Sequence, residues 1–160
     1  MKVRLSLSVH PTALTNEPSQ TSSDKVILSL AQMASPNLLV TGSTDRQISY
    51  WDLREESSNI SLTLTGHLSQ VSSVAPHPTS PLLLASGSYD STVRIWDARS
   101  TKSALFVINL PPKEGEEENG KEKILAVDWD GSRLIAGGEG ARVVVWKVTG
   151  GENESEISVE

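Results

Sequence analysis

Residues 83–99 read LLASGSYDSTVRIWDAR, and residues 38–54 read LLVTGSTDRQISYWDLR. Laid together, Gly87 stands over Gly42, Asp90 over Asp45, Trp96 over Trp51, Asp97 over Asp52 and Arg99 over Arg54, at a constant offset of 45. A weaker copy, LIAGGEGARVVVWKV at 134–148, puts Gly137, Gly140 and Trp146 at the places of Gly87, Asp90 and Trp96, at an offset of 50. Self-similarity at a fixed period marks one supersecondary unit that is repeated and buries its apolar face on its neighbours.

Every copy has the same grammar. An apolar run such as Leu82–Ala85 reads as a buried strand, and a small-residue turn carrying an Asp follows it. Then comes an alternating strand, Thr92 to Trp96, whose period of two turns one face inward. Val71-Ser72-Ser73-Val74 upstream and Ala104–Leu110 downstream supply two more strands. The strands are expected at 25–31, 37–42, 46–52 and 59–65; at 70–76, 81–86, 91–97 and 103–109; and at 123–129, 132–137 and 141–148. A fourth strand of the last unit is not expected, because Thr149-Gly150-Gly151 opens a polar, acidic stretch. Helix content is expected near zero. Residues 3–9 alternate Val3, Leu5, Leu7 and Val9 as one strand would, and 10–24 read as a Pro/Ser/Thr-rich loop.

This pattern resembles the WD-repeat β-propeller family, over about residues 25–148. The fold class expected is all-β: an incomplete propeller of about three four-stranded antiparallel blades. The units divide as an N-terminal segment 1–24, repeats at 25–66 and 67–110, an acidic insert 111–123, a degenerate repeat 124–149 and a disordered acidic tail 150–160. The 160 residues thus give three units, whereas propellers close with about four to eight. The chain is expected to be part of a propeller, with open ends that invite self-association.

The resemblance also implies roles for individual residues. Gly66-His67, Ser86, Asp90 and Trp96 match the family's buried hydrogen-bond relay, in which an imidazole bridges carboxylate and hydroxyl. The first repeat keeps Thr41, Asp45 and Trp51, with Ser22 at the His position. The third keeps Trp146 alone, with Gly120, Ala136 and Gly140 at the other places, so its turn is expected to be the softest. A catalytic triad of His67, Asp90 and Ser86 is disfavoured against this structural relay, because a triad needs an accessible nucleophile.

Other chemistries find little support. Zero Cys excludes disulfides, zinc–cysteine sites and thiol catalysis. His10 and His77 lack partners at metal-ligand spacing, so no metal and no cofactor is expected. Asp128 and Asp130 flank Trp129 and read as solvated groups, not as a glycosidase pair. No apolar run approaches the roughly 18 residues of a membrane span. The net charge is −6, but segments 111–123 and 150–160 hold nine of the 20 acids and three of the 14 bases, which leaves eleven of each elsewhere. No basic stripe for nucleic acid remains. An enzyme is therefore not expected.

The remaining expectation is protein binding. Thr44, Arg46, Ser88 and Tyr89 are assigned to a contact surface at one end of the blades, and Arg54 and Arg99 to the other end. The two arginines follow Trp-Asp by two residues. They read either as partners of a carboxylate in their own blade or as adaptor contacts of a cullin-type ubiquitin ligase substrate receptor. A narrower resemblance rests on SGSYDSTVRIWDARS and on KILAVDWDGSRLIAGGEG, with Asp128-Trp129 and Gly137-Gly138 in the latter. These resemble the last blades of the ribosome-biogenesis WD-repeat proteins of the PeBoW complex. That implies a nucleolar scaffold for 60S subunit assembly and pre-rRNA maturation, with pescadillo and block-of-proliferation type partners. The ubiquitin-like domain and the earlier blades of that family are not found in these 160 residues.

Overall fold

The computed structural model describes residues 25–54, 60–100, 102–111, 122–150 and 155–159, without side-chain detail for 149–150 and 155–159. The expectations for residues 3–9, 10–24 and His10, for Ser22 and Gly120, and for most of the acidic insert lie outside these residues.

Among the described residues, twelve strands form three sheets. The first holds β1 (Ile27–Gln32), β2 (Leu38–Ser43), β3 (Ile48–Asp52) and β4 (Ile60–Leu64). The second holds β5 (Val71–Pro76), β6 (Leu83–Ser88), β7 (Thr92–Asp97) and β8 (Phe106–Asn109). The third holds β9 (Ile124–Trp129), β10 (Arg133–Gly138), β11 (Val143–Gly150) and β12 (Ser155–Val159). Each is an antiparallel meander in chain order. The repeat seen in the sequence recurs in the register: Leu39 pairs Trp51, Leu84 pairs Trp96 and Leu134 pairs Trp146.

Strand β12 corrects one expectation. Residues 155–159, within the stretch expected to be a disordered tail, pair with β11, Ile157 opposite Val148 and Val159 opposite Trp146. Ser-Glu-Ile-Ser-Val alternates with period two, which is strand chemistry whatever its charge. The third sheet is therefore four-stranded like the others.

Period-two alternation decides which sheet each residue joins. In β6, Leu84 enters a core shared with the first sheet, and its neighbour Ala85 enters one shared with the third. In β7, Trp96 joins Val40, Ile48, Tyr50 and Leu64 on the first side, while Val93 and Ile95 meet Ile124, Val127, Trp129 and Trp146 on the third. The second sheet is thus buried on both faces. Serines on the first strands of the first and second sheets stitch the stack. Val74 N–H donates to Ser29 Oγ at 3.1 Å, Val127 N–H donates to Ser73 Oγ at 3.0 Å, and Ser72 Oγ donates to Ile124 O at 2.6 Å.

Glycine makes the close approach possible. A Cβ on Gly42 would lie 2.7 Å from Val71 Cγ1, and one on Gly87 would lie 2.6 Å from Ile124 Cγ2. No helix among the described residues is long and apolar enough to cross a membrane.

Candidate protein-interaction face and its buried relay

The β2–β3, β6–β7 and β10–β11 turns lie at one end of the sheets, with the loops that enter β5 and β9. Each turn places a non-glycine residue in the left-handed region, at the same repeat position: Arg46 (φ 70°), Ser91 (φ 72°) and Ala141 (φ 57°). Such a residue costs on the order of 1 kcal/mol, so something must hold these turns.

In the second sheet the holding group is the predicted relay, complete. Trp96 Nε1–H donates to Ser86 Oγ at 2.8 Å. Ser86 Oγ lies 2.7 Å from His67 Nε2, and His67 Nδ1 lies 2.9 Å from Asp90 Oδ2. Asp90 also accepts the backbone N–H of Leu68 at 2.8 Å and both the N–H and the hydroxyl of Thr92. Gly66, at φ +146°, lets Arg94 Nη1 and Trp96 pass beneath the loop. Ser86 is fully buried, so its hydroxyl meets no substrate. The trio is a strut, not a triad.

Burial lowers the His67 pKa below the ordinary imidazole value; the hydrogen bond and charge of Asp90 oppose this, and Arg94 adds to it. Burial alone would raise the pKa of Asp90, but hydrogen bonds from His67, Thr92 and Leu68 together bring it below the usual carboxylate value. The signs give a pH prediction. An imidazole depressed in the folded state stabilises fully above its unfolded pKa of about 6.5, and that stability falls as pH drops below it. A depressed carboxylate adds a second loss below about pH 4. Urea titrations from about pH 8 to pH 3 should show both steps, and His67→Gln should remove the first. A parent chain flat through the first step would contradict the assignment.

Among the described residues, the first sheet keeps only half the device. Trp51 Nε1–H donates to Thr41 Oγ1 at 3.0 Å, but Asp45 serves Gln47 N–H and Lys25 instead.

The third sheet has replaced it. Glu139 N–H donates to Lys123 O as Tyr89 N–H donates to Gln70 O, which aligns Glu122 with Ser69 and Gly140 with Asp90. Buried Glu122 accepts the Gly140 N–H at 2.5 Å and Arg142 Nε at 2.8 Å. The carboxylate has moved from the turn to the loop. Gly138, where the second sheet has Ser88, makes the room: a Cβ there would lie 2.5 Å from Glu122 Oε1. The turn expected to be softest has its own latch. Glu122→Ala should cost about 2 kcal/mol, as a buried acceptor lost from an N–H and a guanidinium. Hydrogen exchange should quicken at Gly140 while Asp90 stays protected.

The proposed contact residues divide. Arg46 is exposed, while Thr44 and Tyr89 are half-buried. Tyr89 carries Lys123 Nζ 5.8 Å from its ring centre, across the second and third sheets. Ser88 is a correction: it is fully buried, donating to Ser69 O and accepting from Asp90 N–H. A small polar turn residue marks a surface only when its hydroxyl is not needed by the backbone. At the opposite end, Arg54 forks onto Asp52 and Arg99 onto Asp97 in matching geometry, with Nη2–Oδ2 distances of 2.5 Å. The Arg54 hydrogen bonds bring Asp52 down to about 2, and those of Arg99 lower Asp97 likewise. Asp128 is exposed, and exposed Asp130 closes its own turn on the Ser132 and Arg133 N–H groups. No group of His, Asp and Glu that could hold a metal occurs among the described residues.

Three repeating meanders, two of them with Trp-Asp endings, stacked through glycine and with a Trp–Ser–His–Asp strut in the middle one, define a fold class: the sheets are blades of the WD-repeat β-propeller type. Residues 16–52 and 58–97 match the WD domain, G-beta repeat family. The third sheet lies outside those ranges yet keeps the Leu–Trp register. Among individual proteins, the chain is 38% identical over 135 residues to the ribosome biogenesis protein YTM1 of Coprinopsis cinerea, covering 84% of this chain and 28% of that one. It is 35% identical over 126 residues to the YTM1 of Debaryomyces hansenii, covering 76% and 26%. The chain therefore spans about a quarter of the length of these relatives. The β-propeller domain of Cps50 (Swd1) from Myceliophteria thermophila shares its fold, with a TM-score of 0.63 at 15% identity, over 83% of this chain and 38% of that one.

Proposed function

We propose that the chain is a non-enzymatic protein-binding scaffold acting in large-subunit ribosome biogenesis and pre-rRNA maturation, in the nucleolus. The carrying observation is the 38% identity to a ribosome biogenesis protein over 84% of the chain. The loop end supports the binding part of the reading. Three strained turns stand there side by side, and strain of that kind collects where a surface must keep one shape. Pescadillo and block-of-proliferation type proteins are the partners to test. Tagged chain should co-sediment with pre-60S particles and recover both partners; recovery of neither would remove the reading.

The ubiquitin-ligase reading gains less. Each of the two arginines it depends on is already forked onto the aspartate two residues before it. On that reading the parent chain should pull down the adaptor and Arg54→Ala with Arg99→Ala should abolish the capture; no effect of the substitutions would end it.

A further inference from the structure

Leu68 is 77% exposed, the most exposed large hydrophobic among the described residues. It is also held by unusual means. Its N–H is bonded to Asp90 Oδ2, and that carboxylate is fixed by His67 and Thr92. A buried network therefore ends on the backbone of a side chain that projects into water. An exposed apolar group on a rigid loop loses little conformational freedom on docking, which favours it as an anchor.

The charges beside it give the partner's chemistry. The loop holding Leu68 runs between the turn of the first sheet and the turn of the second. At this end, Lys25 faces Asp45 at 2.7 Å, Lys123 faces Glu139 at 3.0 Å, Arg142 faces Glu122 at 2.8 Å and Arg94 faces Asp90 at 3.9 Å. Arg46 is exposed and has no carboxylate partner among the described residues. Among the described residues, the uncommitted charge at this end is positive.

We infer that Leu68 is the apolar anchor of the loop end, and that its partner is an acidic protein segment that lays an aliphatic or aromatic side chain on Leu68 and a carboxylate against Arg46. This rests on the reading of the loop end as the binding face, and names the chemistry that face selects.

Short peptides displayed as a random library and selected on the 160-residue chain test it. Enriched sequences should pair Leu, Ile, Phe or Trp with Asp or Glu. The best peptide, measured by calorimetry, should bind Leu68→Ser at least about tenfold more weakly, the loss expected with one buried leucine. Arg46→Ala should weaken it by roughly threefold to tenfold. Thermal midpoints of both variants should match the parent, since both side chains are exposed. Equal binding to Leu68→Ser, enrichment of basic peptides, or no enrichment overturns the inference. Loss with Arg46→Ala and Tyr89→Ala but not Leu68→Ser keeps the face and removes the anchor. No loss in any of the three removes both.

Discussion

Asp90→Ala is expected to destabilise the chain by about 3–5 kcal/mol, a large share of a typical domain's margin. Asp90 accepts from four donors in the relay: His67 Nδ1, Leu68 N, Thr92 N and Thr92 Oγ1. Removing it strands a buried imidazole and frees the loop that carries Leu68. The aligned change Asp45→Ala should cost less than about 1 kcal/mol, because Asp45 bonds one backbone N–H and a half-exposed Lys25. Chemical denaturation of the two variants side by side is the check. Equal losses would mean that the relay carries no special weight.

The second large effect is steric. Gly87→Ala would place a Cβ 2.6 Å from Ile124 Cγ2 and 2.8 Å from Val127 Cγ1. Both are branched side chains rooted on β9, so the second and third sheets must part. The expected cost is about 2–3 kcal/mol, with faster exchange on β9. Gly137 is the same repeat position in the third sheet, and a Cβ there meets nothing within 4 Å. Gly137→Ala should be neutral, or stabilise by up to about 1 kcal/mol through lost strand flexibility. A similar penalty at both sites would show that glycine here serves backbone geometry and not blade stacking.

Much of the fold was legible because the repeat is carried by residues whose roles are local. Gly87, Asp90 and Trp96 set a close approach, a turn and a core position within ten residues of sequence, and the strands fall within about three residues of expectation. The relay was legible through the resemblance because its residue types are rarely interchangeable. What stayed hidden was relocated or contextual. Glu122 does the work of Asp90 from another loop, so no column of the repeat marks it. The strand at 155–159 was masked by its acidity, although charge does not set the period. Ser88 looked exposed from its turn composition, and only the carbonyl of Ser69 explains its burial. Leu68 carries no pattern at all; its meaning comes from pointing away from a core.

The relay also has a direction. An indole N–H only donates and a carboxylate only accepts, so both ends of the Trp96–Ser86–His67–Asp90 chain are fixed. The proton of Ser86 must point to Nε2, and the imidazole must carry its own on Nδ1. The four groups then form a one-way series of dipoles that add along the line. Its negative end is the carboxylate beneath the surface loop. In a magnetic resonance spectrum the consequence is a single neutral tautomer of His67, with its Nδ1 proton and the Trp96 indole proton sheltered from solvent. The aligned indole of Trp51 donates to Thr41, whose hydroxyl turns back to the Ser49 carbonyl of its own sheet.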